Sequence, residues 1–171
     1  EKLNFPDAAF DKILCRFGVM LFEDSLQGLK QMQRVLKPGG RFAIAVWSTP
    51  ETMPTLRWAY QVFAGRIPAD KYPPLPKVTS LGLPGVLDNM LRQAGFNDCM
   101  IRPVTFNYHF PSFDDYWNVV EQSDILKMQY DVLPENQRGV IRTEIAALAQ
   151  RFISEKGLII PHDFLLATGT K

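Results

Sequence analysis

Cysteine and histidine are scarce in this sequence, with two of each in 171 residues. Cys15 and Cys99 lie far apart with no ligand spacing, which excludes a disulfide framework and a Cys/His metal site, so no metal is expected. Two thiols in a reducing compartment are the expectation, and with them a cytoplasmic location. Long apolar runs are missing as well. A stretch such as Phe42 to Trp47 is far too short to cross a bilayer, so no membrane partner is expected. The opening Glu-Lys-Leu-Asn-Phe-Pro has no basic segment followed by an apolar one, hence no secretory signal. Charge of one sign is lacking too: 19 Lys and Arg stand against 18 Asp and Glu, net +1. Such a balance gives no field for nucleic acid or an acidic membrane surface. No glycine-rich phosphate loop, His-Glu-x-x-His, Gly-x-Ser-x-Gly, repeat or low-complexity tract occurs. The chain does not begin with Met and is expected to be a piece of a longer protein.

What is present is an ordinary globular balance, 46% hydrophobic and 22% charged, in a length that suits one domain. Phe10 to Phe17 is a β-rich run and reads as a buried strand. Asp24 can cap a helix in which Leu26, Leu29, Met32, Val35 and Leu36 recur at three and four residues. Pro38-Gly39-Gly40 stops that helix, with one glycine expected at positive φ. Arg41 to Trp47 is then nearly all apolar, as in a strand covered on both faces. Strand, helix and strand within 48 residues make a right-handed crossover unit of an α/β protein.

Beyond it the pattern loosens. Thr49 to Met53 is a turn-rich exit, followed by an aromatic helical stretch with Trp58, Tyr60 and Phe63. Residues 67–76 carry four prolines and read as a loop. Pro84 to Ala94 is a short helix ending at Gly95. Cys99 to Phe110 has strand character, with Met100, Arg102, Val104, Phe106, Tyr108 and Phe110 on one side. Pro103 favours an edge or a bulge there. Two helices are expected near 113–126 and 134–154, then a last strand, Ile159 to Thr168. His109 on its strand and His162 in a turn read as structural or surface residues. Asp114-Asp115 reads as a helix start rather than catalytic carboxylates. Spacing alone yields an α/β fold and no reaction.

Two blocks carry a resemblance. Glu1-Lys2-Leu3-Asn4-Phe5-Pro6-Asp7 with Phe10-Asp11, and Arg34-Val35-Leu36-Lys37-Pro38-Gly39-Gly40-Arg41, resemble the second half of class I S-adenosylmethionine-dependent methyltransferases of the type 11 or 25 group. Ala94-Gly95-Phe96 and Leu166 to Gly169 extend the likeness loosely. The resemblance implies the C-terminal half of a Rossmann-like methyltransferase fold, strands four to seven, with helical insertions. It makes residues 1–171 one incomplete domain: 1–48 core strand-helix-strand, 49–158 insertions and sixth strand, 159–171 last strand. It implies S-adenosyl-L-methionine as cofactor in the intact enzyme and methyl transfer to a small-molecule acceptor. Glu1, Lys2 and Leu3 would lie beside the adenine, and Cys15, Arg16 and Phe17 beside the methionine moiety. Trp58, Tyr60, Phe63 and Trp117 would roof an acceptor pocket. No catalytic base is assigned.

The family's glycine-rich turn and ribose-binding acid are not in these 171 residues, so the chain alone is expected to bind cofactor weakly or not at all. The alternatives are a non-catalytic half-domain acting as a binding or assembly module, and another nucleotide-binding α/β enzyme, for which no dinucleotide fingerprint is present. In the family the sheet order runs third, second, first, fourth, fifth, seventh, sixth. Phe10 to Phe17 then becomes an unblunted edge, and a homo-oligomer formed through it is expected.

Overall fold

The computed structural model describes residues 1–71, 78–122 and 124–171. Strand β1 (Phe10–Arg16) is followed by helix α1 (Ser25–Val35) and strand β2 (Leu36–Trp47). The helix starts where the sequence places it: the Asp24 carboxylate accepts the Gln27 amide at 2.8 Å. Such a cap contributes about 1 kcal/mol. Leu29, Met32 and Val35 are buried along one stripe. The helix does not run to Pro38, however. Leu36 is already extended (φ −77, ψ 137). Proline disfavours the helical region at the residue before it, so Lys37 cannot continue the turn.

The Pro-Gly-Gly stretch is instead taken into β2 as an irregularity. Phe10 pairs with Leu36 and Lys12 with Arg41, which sets Lys37 to Gly40 against Asp11 alone. Gly39 has φ +73, so the expected left-handed glycine is present. Gly40 lies so close to its neighbours that a Cβ would meet the Lys37 carbonyl oxygen at 2.8 Å.

Helices α2 (Pro54–Phe63) and α3 (Val86–Gln93) and strand β3 (Asn97–Phe110) come next. Helices α4 (Phe113–Gln122), α5 (Asp124–Asp131) and α6 (Glu135–Ala149) precede strands β4 (Ile153–Ser154) and β5 (Gly157–Thr170). The sheet order is β1-β2-β5-β3, with β4 paired to β5 off that path. β1 runs parallel to β2, and β5 antiparallel to it. The chain forms two compact units: 1–49, 77–105 and 163–171 in one, 50–76 and 106–162 in the other.

In the first unit Phe42, Ile44 and Val46 turn one face of β2 into a core shared with Leu29 and Met32 of α1 and Leu87 and Leu91 of α3. Each side chain so buried contributes roughly 1.5–3 kcal/mol. The expectation of a buried Phe10–Phe17 strand is corrected. No residue of β1 is fully buried, and Leu14 is 82% exposed. Among the described residues β2 is its only partner in the sheet order. Only its alternate residues Ile13 and Cys15 pack against the core, so apolar composition here reflects one covered face.

The single-sided pattern read for β3 is also corrected. Cys99 and Ile101 pack inward while Met100 is 72% exposed; further on Tyr108 and Phe110 are the inward pair. The inward set changes parity across Pro103, and β3 ends the sheet order, where proline is tolerated.

The second unit is built on aromatics: Trp58, Phe63, Tyr116 and Trp117 form its core with Ile141, Ile145, Leu158 and Ile160. Three helices stand where two were expected after residue 112, and Ile153–Ser154 is extended, paired to Gly157 and Leu158. Ser112 caps α4 by accepting the Asp115 amide at 3.2 Å, and its hydroxyl donates to the Asp115 carboxylate at 2.6 Å. The acid pair thus occupies the first turn, favourable at the positive helix end, and Asp114 accepts from Arg142 at 2.6 Å. Of the loop read over 67–76, residues 72–76 lie outside the described residues, as does Ser123 within 113–126.

Candidate functional site

In the first unit the opening segment is held against α1 by the side chains of Arg34 and Gln31. The Arg34 guanidinium donates to the carbonyls of Phe5 (2.9 Å) and Leu3 (2.8 Å), and to the carboxylate of Asp7 at 2.5 Å. It also donates to the Gln31 amide oxygen at 3.1 Å, which in turn accepts from the Leu3 backbone amide at 3.4 Å. The planar fork of arginine suits this convergence of oxygens, which a lysine cannot match. Glu1, Lys2 and Leu3 thereby line an open groove of about 530 Å³ with Gln27, Gln31 and Arg34. Glu1 accepts the Glu23 amide at 2.6 Å. The Gln27 side-chain amide makes no hydrogen bond among the described residues.

Cys15, Arg16 and Phe17 end β1 at its carboxyl edge, where ligands of open α/β sheets bind. Phe17 holds φ +52, an unusual conformation for an aromatic residue, and its amide donates to the Ala45 carbonyl at 2.9 Å. Its ring stacks on Trp47 at 4.1 Å between centroids and meets Phe164 edge-on at 5.6 Å. The Arg16 guanidinium lies 5.5 Å from its centroid. The Trp47 backbone is itself confined. Its amide donates to the Met20 sulfur at 3.4 Å, and Gly82 abuts its carbonyl so closely that a Cβ would sit 2.5 Å away. A fixed aromatic cluster therefore stands at the carboxyl ends of β1 and β2.

The second unit holds the other expected residues. Trp58, Phe63 and Trp117 are core side chains, 1%, 0% and 3% exposed, and Tyr60 reaches solvent. The Trp117 indole donates to Glu121 at 2.8 Å, whereas the Trp58 indole nitrogen is buried with no hydrogen-bond partner among the described residues.

His162 is corrected from a turn to strand β5, where it is buried. Its Nδ1 lies 3.4 Å from the Ile160 carbonyl oxygen, and its Nε2 lies 2.6 Å from the hydroxyl of half-buried Thr55. A carbonyl only accepts, so Nδ1 carries the proton and Nε2 accepts from Thr55. Tyr108 packs edge-on against the imidazole, 5.0 Å between centroids. The signal for His162 was available in the sequence: Leu158, Ile160 and His162 alternate, and the first two are strongly apolar. His109, by contrast, is exposed on β3. Burial pushes the Tyr116 phenol well above its ordinary pKa. Among the described residues no group of three or more His, Cys, Asp or Glu is placed to hold a metal. Among the described residues no helix is long and apolar enough to cross a membrane.

A parallel β1–α1–β2 crossover joined to an antiparallel last strand is a mixed α/β arrangement, as the resemblance implies. In fold, the chain matches a putative methyltransferase from Bacillus halodurans, with a TM-score of 0.54 at 16% identity, covering 99% of this chain and 68% of that one. At that identity the likeness shows a shared fold.

In sequence, residues 1–81 match the model of the ubiE/COQ5 methyltransferase family. The chain is 44% identical over 64 residues to the ubiquinone/menaquinone biosynthesis C-methyltransferase UbiE of Hahella chejuensis, covering 37% of this chain and 25% of that protein. It is 36% identical over 115 residues to the demethylmenaquinone methyltransferase of Deinococcus radiodurans, covering 61% of this chain and 47% of that protein. The match thus spans less than half the length of these curated relatives.

Proposed function

We propose that the whole protein transfers a methyl group from S-adenosylmethionine to a small-molecule acceptor of the quinone type, in the cytoplasm, and that this chain supplies the second half of the catalytic domain. The observation that carries the reading is the coincidence of the matched segment, residues 1–81, with the groove at Glu1–Leu3 and the aromatic cluster at Phe17. The names of the relatives support a quinone-type acceptor. The strand order β1-β2-β5-β3 supports reading these strands as the fourth, fifth, seventh and sixth of the family sheet.

The residues present fit part of the cofactor. Glu1, Lys2 and Leu3 would border the adenine, with the free Gln27 amide beside them in the groove. Cys15, Arg16 and Phe17 would border the methionine moiety, largely through backbone groups. When bound, the cofactor supplies an electrophilic methyl group on a sulfonium. The protein's part is to fix the acceptor in line with that methyl and to exclude water, which is where most of the acceleration of such a displacement originates. Trp58, Phe63 and Trp117 give the acceptor side its rigid apolar frame, with Tyr60 at its surface. The same reading includes self-association through the exposed edge of β1.

The chain alone is expected to show no calorimetric binding of S-adenosylmethionine at tens of micromolar. A dissociation constant of about 1 μM, roughly −8 kcal/mol, overturns the half-domain part of the reading. The N-terminal half of the Deinococcus radiodurans relative joined ahead of Glu1 is expected to restore both binding and methyl transfer to a naphthoquinol. A folded chimera that binds the cofactor and methylates no naphthoquinol overturns the proposed reaction.

A further inference from the structure

We propose that Thr55 and His162 form a proton-accepting site for a hydroxyl-bearing aromatic acceptor, Thr55 touching the acceptor and His162 acting through it. The inference rests on the methyl-transfer reading above and adds to it the group that handles the acceptor's proton. The geometry is that of a hydroxyl bound to an oriented base. Thr55 Oγ1 lies 2.6 Å from His162 Nε2, and the Ile160 carbonyl at 3.4 Å from Nδ1 fixes the tautomer in which Nε2 accepts. A hydroxyl has one proton to donate and two lone pairs with which to accept. The proton of Thr55 is committed to His162, and no other hydrogen bond of its hydroxyl occurs among the described residues. Its lone pairs are therefore open to an incoming O–H.

The surroundings suit a flat aromatic carrying one polar group. Thr55 occupies the first turn of α2, and Trp58 follows at the i+3 position on the same side of that helix. The indole nitrogen of Trp58 is buried without a partner among the described residues, although its ring is 1% exposed. A buried donor left unpaired is costly, and such orphans recur where a ligand supplies the missing acceptor.

The proton then has a complete path. The acceptor O–H bond breaks and its proton passes to Thr55 Oγ1 as the Thr55 proton passes to His162 Nε2. The imidazole becomes an imidazolium that keeps its Nδ1–H on the Ile160 carbonyl. The electron pair of the broken O–H bond stays on the acceptor oxygen.

The test uses 1-naphthol with this chain, because it needs no cofactor and leaves the methyl-transfer reading to the chimera. The chain has two histidines, so their ring signals are readily told apart by NMR. 1-Naphthol is expected to shift the His162 ring signals and leave those of exposed His109 in place. Thr55→Val is expected to weaken naphthol binding about fivefold, the loss of one hydrogen bond. Thr55→Ser is expected to restore it. 1-Methoxynaphthalene, which has no hydroxyl proton, should bind the Val variant and the parent equally. A His162 signal that naphthol does not move, or a Val variant that binds naphthol as the parent does, overturns the proposal.

Discussion

Phe17 and Trp47 stack face to face, 4.1 Å between ring centroids and 18° between planes, across the carboxyl ends of two parallel strands. The stack compensates a backbone cost, since Phe17 sits at φ +52. Non-glycine residues held in that region carry on the order of 1 kcal/mol of strain and persist where surrounding contacts over-determine them. Replacing the ring removes the compensation, and the backbone then decides the outcome. Phe17→Ala is expected to lower stability by about 2–3 kcal/mol, and Phe17→Gly by about 1 kcal/mol less than Ala despite its smaller side chain. Chemical denaturation of the two variants checks this. A glycine variant less stable than the alanine variant shows that the conformation is not strained.

Arg34 binds the opening segment to α1 through two carbonyls, Asp7 and Gln31. The ion pair itself contributes little, because Asp7 is largely exposed and solvent screens it. The carbonyl contacts matter more. Arg34→Lys keeps the charge and loses the fork. It is expected to release residues 1–7 to fast hydrogen exchange while changing the melting temperature little. Unchanged protection of the Leu3 amide in the Lys variant shows that the segment is held by other means.

The parts of the fold legible in the sequence are those set by strong local chemistry. Asp24 before an apolar stripe marked the start of α1, and the nearly unbroken apolar run of Arg41 to Trp47 after its glycines marked β2. Elsewhere the deciding contacts are remote. β1 has the composition of a buried strand, yet its exposure depends on what lies beside it, which seven residues cannot encode. The parity change in β3 depends on two different cores claiming the two halves of one strand. For the candidate site, Glu1–Leu3 and Cys15–Phe17 came from family resemblance, since their backbone-mediated roles leave no residue-type signature. Thr55 was missed because a lone threonine carries no signal until His162, 107 positions away, is placed on it.

Gly39 and Gly40 stand next to each other but are required for different reasons. Gly39 has φ +73 and nothing within 4 Å of an added Cβ, so its cost is conformational alone. Gly39→Ala is expected to destabilise by about 1 kcal/mol. Gly40 meets the Leu36 side chain and the Lys37 carbonyl at under 3 Å, and its substitution must move backbone. Gly40→Val is expected to cost more than Gly39→Val. Equal melting of both Val variants and the parent shows that the stretch is a loose surface loop.

The irregularity that houses those glycines also brings Lys37 Nζ to 2.9 Å from the Asp11 carboxylate. The hydrogen bond from Lys37, and then its charge, hold the Asp11 carboxyl below the ordinary carboxylate range. A carboxyl lowered on folding favours the folded state above its unfolded pKa, and that contribution fades as pH falls through the folded value. Asp11 is fully exposed, so the effect on stability is small and the titration is the better readout. Lys37→Met is expected to return the Asp11 carboxyl toward its ordinary value by NMR. An unchanged Asp11 titration in that variant excludes the pair in solution.

The last expectation concerns the free side of β1. Among the described residues no strand lies beside its backbone donors and acceptors away from β2, no proline interrupts it, and Leu14 is 82% exposed at its middle. Such an edge pairs readily with another. A two-fold, antiparallel pairing centred on Leu14 sets the Leu14 side chains together and brings Lys12 of one copy opposite Arg16 of the other. Like charges directly opposite oppose the pairing, and salt screens them. The chain is therefore expected to dimerise at micromolar concentration and to dimerise more tightly as ionic strength rises. Leu14→Lys adds a charge where the apolar contact was and should return the chain to a monomer of 19.5 kDa by light scattering. Because Leu14 contributes little to the core, the variant's melting at low concentration should be unchanged. A parent that is monomeric at all salt concentrations rules out the edge as an assembly surface.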